Sequence, residues 1–154
     1  MPVTAYPVDL VETEVTAPGI HAALGYWRSR IPAGRGVPPR ERIDPVDMPR
    51  LLPKLLLLDV HRDPLRFTVR VAGTEIRELY HAELTGLTIG PDDGTGLSRD
   101  AHPRLACAAT EAGPVFARNA VHWQQRDHVR YEVAHLPLGT DDRIEQILSV
   151  LERV

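Results

Sequence analysis

The chain has 154 residues, 43% of them apolar, the length of one domain with enough apolar side chains to bury a core without staples. Its 18 Lys and Arg against 21 Asp and Glu leave a formal charge of -3, without the basic footprint that phosphate contacts require, so nucleic acid is not expected as a partner. The longest aliphatic run, Leu55 to Leu58, falls far short of the ~20 residues a bilayer needs, and the lone Cys107 excludes an internal disulfide and any multi-cysteine metal site.

Residues 1–19 mix Pro, Thr and acidic residues without helical periodicity and read as an N-terminal arm. They lack the positive start and apolar stretch of an export signal, which predicts a cytoplasmic protein with no membrane partner. Ile20, Ala23, Leu24, Trp27 and Ile31 then recur on one face of an amphipathic helix, ended by Pro32 and the Gly34/Gly36 pair. Asp44-Pro45-Val46-Asp47 offers a capping carboxylate and a proline at the first helical position, so a short helix is expected there, closed by Pro53. Residues 20–53 thus form a helical extension ahead of a core at 54–154.

In that core, 54–61 and 66–72 flank the turn signal Arg62-Asp63-Pro64 and predict a hairpin. A helix follows with Ile76, Leu79, Tyr80 and Leu84 on one stripe, Thr74 as its cap and Gly86 as its left-handed stop. After the glycine-rich loop 90–96, Ser98 or Asp100 caps a helix through Ala112, with Pro103 in its first turn. Three strands, 115–124, 128–138 and 144–151, are separated by short turns and are therefore antiparallel neighbours.

Tyr26-Trp27-Arg28, the turn Ile43 to Pro53, the strand Leu55 to Val60 and the stretch Phe67 to Thr74 together resemble a bacterial PAS-like family, in which a stand-alone PAS fold follows a "YWRS" helix and a "DP.D.P.LLP" turn. The resemblance implies an α/β (α+β) PAS fold: a five-stranded antiparallel sheet, helices on one face and an N-terminal helical extension outside the core. It also implies a sensory or ligand-binding role.

Common catalytic signatures are missing. Gly34-Arg35-Gly36 and Gly94-Thr95-Gly96 lack the third glycine of a dinucleotide loop, no Gly-Lys-Ser/Thr cradle exists, and no serine lies in a Gly-x-Ser-x-Gly elbow. An enzyme is not expected. The seven histidines are scattered over different elements, and Asp92-Asp93 with Asp100 does not match a calcium loop, so no metal site is assigned. Flavin-binding PAS sensors resemble one another in an Asn-Cys-Arg-Phe-type motif, which Leu105-Ala106-Cys107-Ala108-Ala109 does not reproduce. Haem-binding PAS sensors place an axial histidine on the long helix; His102 is the candidate here, beside Pro103 in a predicted first turn.

What remains is a small-molecule cavity between sheet and crossover helices, with the ligand and any cofactor unknown. Tyr80, Leu84, Leu105, Cys107, Phe116, Arg118, His122, Tyr131 and Val133 are placed around it, on strand alternation and helical stripes. Plain core packing is the alternative for the apolar members. Arg118 and His122 share a strand face and are candidates to orient an anionic or polar ligand, with a solvated face as their alternative. Trp27 is expected to pack, and Arg28 to form a structural ion pair.

The expected function is a cytosolic PAS-type sensor that binds an unidentified small molecule. With no output domain after the last core strand, it is expected to signal to a partner protein in trans, or by rearrangement of a homodimer that includes the first helix. The alternatives are a ligand-free dimerisation or scaffolding module and a haem-binding sensor.

Overall fold

The computed structural model describes residues 6–91, 93–121 and 124–154. Among them a single antiparallel sheet comprises β1 (Val8–Leu10), β2 (Leu55–His61), β3 (Arg66–Ala72), β4 (Thr88–Ile89), β5 (Val115–Val121), β6 (Arg126–Thr140) and β7 (Arg143–Arg153), in the spatial order β1-β5-β6-β7-β2-β3-β4. Three α-helices, α1 (Pro18–Ser29), α2 (Thr74–Tyr80) and α3 (Gly96–Glu111), complete the α/β class expected from the sequence. No described helix is long and apolar enough to cross a membrane.

The sheet has seven strands where five were expected. The additional β1 and β4 contain 3 and 2 residues, too few to show a period of two. β1 comes from the arm and pairs with β5, Asp9 opposite Ala117; β4 comes from the loop after α2 and pairs with β3, Ile89 opposite Phe67.

The core helices α2 and α3 share one face of the sheet, as expected, and α1 covers the other. Glu132 and Glu152 point away from the α3 side and accept hydrogen bonds from the start of α1, which places that helix on the opposite face. There α1 buries Ile20, Ala23, Leu24 and Trp27, the stripe read from the sequence, as part of the main core instead of outside it. The Trp27 indole N–H donates to the Pro137 carbonyl at 2.9 Å. That bond explains how a proline sits within β6. A strand residue presents its carbonyl and its N–H position on the same side, and the last β5–β6 partners are Val115 and His135, so no ladder bond is lost at Pro137.

Three predicted caps shift. α2 starts from Gly73, whose Cα lies so close to the preceding chain that a Cβ there would meet the Pro53 carbonyl at 2.3 Å, and His81 at φ 53° ends the helix in place of Gly86. α3 begins at Gly96, where the Thr95 side chain accepts from Ser98 N at 3.1 Å, and Asp93 in turn accepts from Thr95 N at 2.9 Å. The earlier start leaves Pro103 inside the helix, not in its first turn, so one intrahelical bond is missing there.

Candidate functional site

A cavity of about 40 Å³ lies between the sheet and the layer of α2 and α3. Strand alternation builds its floor: Tyr131, Val133 and His135 of β6, Ala117 and Asn119 of β5, and Ser149 and Leu151 of β7 all face α3. Tyr80 of α2 and Asp100, Arg104 and Leu105 of α3 form the roof, Leu84 and Ile89 close one side, and Pro7 of the arm reaches the rim.

The polar groups are joined in two sets. The Tyr80 hydroxyl donates to the Tyr131 hydroxyl at 2.8 Å, and Asn119 Nδ2 donates both to Tyr131 (3.1 Å) and to Asp100 Oδ2 (3.1 Å). Burial pushes the Tyr131 hydroxyl up to about 12 and raises that of Tyr80 well above its ordinary value, so both are neutral donors and acceptors at any physiological pH. In the second set His135 and Ser149 are directly opposed cross-strand residues, with His135 Nδ1 2.6 Å from Ser149 Oγ. Burial, reinforced by the Arg104 charge, lowers the His135 imidazole to about 3 and keeps it neutral. Arg104 donates from Nη1 to the Asp100 carbonyl at 2.9 Å. Its Nε lies 2.9 Å from Asp9 Oδ1 yet makes no directed hydrogen bond, so that contact is Coulombic.

Of the residues expected at the cavity, Tyr80, Leu84, Leu105, Tyr131 and Val133 line it. Phe116 and Arg118 do not: β5 is one residue out of the assumed phase, so they point to the α1 face, where Arg118 Nη2 donates to Glu132 at 2.6 Å. Cys107 is exposed on the outer side of α3, because Leu105, Ala108 and Ala109 take the buried side. His122, like Asp92, lies outside the described residues, so the proposed pairing of Arg118 with His122 loses its first member. Asn119, His135, Ser149, Asp100 and Arg104 were missed. His135 was within reach, since a period of two from Tyr131 and Val133 lands on it.

Residues weighed for other roles have structural partners. His102 packs edge-on against Phe67 with ring centroids 5.7 Å apart and donates from Nε2 to the Leu65 carbonyl at 2.8 Å, away from the cavity wall. Arg28 forms an ion pair with Glu12. No group of three metal-ligating side chains occurs among the described residues.

Against known proteins, the family model of a PAS domain matches residues 15–152. No curated protein and no solved structure matches the chain.

Proposed function

The chain belongs to the PAS domain family, and from that premise we propose that it is a non-catalytic sensor, taking a small molecule between the sheet and α2/α3 and reporting it through contacts with a partner protein. The observation that carries this reading is a cavity with a largely apolar lining on which a few buried polar side chains converge. Leu84, Ile89, Leu105 and Val133 supply the apolar surface, and Tyr131, Asn119, His135 and Ser149 bring a few polar groups to it from adjacent strands, the composition of a small-molecule site. The cavity size restricts the ligand to a few heavy atoms, since each water needs roughly 10–15 Å³. Flavin and haem are far larger, so in this reading the purified protein is colourless. The reading also places the protein in the cytoplasm and makes it a homodimer, with one copy able to transmit a change to the other.

The second reading, a ligand-free dimerisation or scaffolding module, is favoured by the same small volume. Native mass spectrometry and a thermal-shift screen with small polar solutes separate the two. A retained or stabilising solute whose effect disappears in Asn119→Leu supports the sensor. No response from any solute, together with a stable dimer by light scattering, supports the module.

A further inference from the structure

We propose that the ligand of this cavity is a small carboxylate that takes Arg104 from Asp9 and so unfastens β1 from the sheet edge; this rests on the sensory reading above. Arg104 is the only cation among the described residues lining the cavity, and its side chain is 16% exposed. Its counter-ion is poorly placed. Asp9 sits on the outermost strand with its side chain 77% exposed, and its oxygen lies off the direction of the Nε–H bond. A carboxylate inside the cavity meets the same guanidinium in drier surroundings, where paired N–H···O bonds are stronger.

Other donors converge on the same space. The Tyr131 hydroxyl accepts from both Tyr80 and Asn119, which leaves its own proton to give. His135 is tied through Nδ1 to Ser149 and has no partner at Nε2 among the described residues; when the serine hydroxyl donates to Nδ1, the Nε2–H is presented to the cavity. Asp100, the one carboxylate among the described residues of the wall, already has an Asn119 N–H on Oδ2, and its repulsion sets the ligand's oxygens on the Arg104 side. Leu84, Leu97 and Val133 supply the apolar remainder, which suits a short-chain acid.

The same arm segment carries the consequence. Asp9 pairs with Ala117 in the ladder, Ala117 lines the cavity, and Pro7 stands at its rim. β1 has only 3 residues. Removing the Asp9–Arg104 tie to α3 weakens its hold on β5, whose main-chain edge is then uncovered for another strand.

Propionate and its neutral isostere propionamide test this with the full chain, by calorimetry and by amide exchange at Val8, Asp9 and Leu10. Propionate is expected to bind, to speed exchange at those amides and to lose binding in Arg104→Gln, with partial recovery in Arg104→Lys. Asp9→Asn, an exposed change that spares the fold, is expected to tighten propionate binding roughly two- to fivefold, the worth of an exposed ion pair. Equal binding of propionamide, unchanged propionate affinity in Asp9→Asn, or unaltered exchange in β1 overturns the proposal. If neutral solutes bind while propionate does not, the ligand class alone fails; if no solute of any charge binds, the sensory reading fails with it.

Discussion

Glu132 and Glu152 stand directly opposite each other on β6 and β7, two carboxylates on the face covered by α1. Like charges so placed repel, and Glu132 is fully buried. The start of α1 resolves the conflict. Glu132 accepts from Thr16 N (2.9 Å), Ala17 N (2.8 Å) and Arg118, while Glu152 accepts from Gly19 N (2.9 Å) and Lys54 Nζ (2.6 Å). Burial opposes the charged form of Glu132, but these bonds outweigh it and hold the carboxyl below its usual range. Two acids therefore dock one helix, Glu132 through the amides of Thr16 and Ala17 just before it and Glu152 through the Gly19 amide of its first turn, at the helix's positive end.

Glu132→Ala is expected to cost about 2–4 kcal/mol in urea unfolding, because the Thr16 and Ala17 amides and Arg118 lose their acceptor together. Arg118→Ala is expected to cost less, since its side chain is 33% exposed and Glu132 keeps the amides. The double variant should fall short of the sum. Strict additivity would show that the two residues do not act as one network.

His135 makes stability depend on mildly acidic pH. Its folded value of about 3 lies below the ordinary 6.5, so the unfolded chain binds the proton more readily. The contribution is complete above pH 6.5 and is lost progressively as pH falls toward 3. At about 1.4 kcal/mol per unit, the loss across that window is on the order of 3–5 kcal/mol. In His135→Leu the slope between pH 6.5 and 4.5 should flatten, leaving the carboxylates to act at lower pH; an unchanged slope would refute the assignment.

Gly73→Ala tests the close approach at the start of α2. The added methyl meets backbone on Pro53, which cannot swing aside as a side chain can. A loss of at least ~1–3 kcal/mol is expected, although φ at -68° suits any residue. A midpoint within 1 °C of the parent, on a scale where 1 kcal/mol shifts it by about 2–8 °C, would show that the 54–73 hairpin is free to relax.

Cys107 and Ala117 make opposite forecasts for an added ring. Cys107 is exposed, so the native chain should titrate one thiol rapidly with Ellman's reagent, and Cys107→Phe should leave the thermal midpoint nearly unchanged. Ala117 is 1% exposed on the cavity floor. Ala117→Phe should abolish solute responses while lowering the midpoint by less than a fully packed site would, since the cavity absorbs part of the ring.

Much of the secondary structure was legible because its periods are local. The α1 stripe, the β2–β3 hairpin and the three final strands each declare themselves within a dozen residues. The site was less legible. β5 is buried on both faces, from Phe116 and Ala117 to Ala120 and Val121, so apolar alternation could not say which set points at α3. Choosing Phe116 and Arg118 moved the strand by one residue and exchanged its faces. Asn119, Ser149 and His135 escaped notice because a polar residue in a strand ordinarily marks a wet face, and here each is buried with a hydrogen-bond partner inside.

The core helices and strands and the packing stripe of α1 follow from periodicity and turn chemistry that each segment carries alone, whereas the PAS class was legible through the resemblance carried by the motifs between Tyr26 and Thr74. The phase of β5, the outward turn of Cys107, the capture of the arm as β1 and the docking of α1 on Glu132 and Glu152 emerge only in the folded chain. Those depend on which strand lies beside which, and a hydrogen-bond register between residues more than a hundred positions apart, such as Ala17 and Glu132, leaves no local periodic trace in either segment.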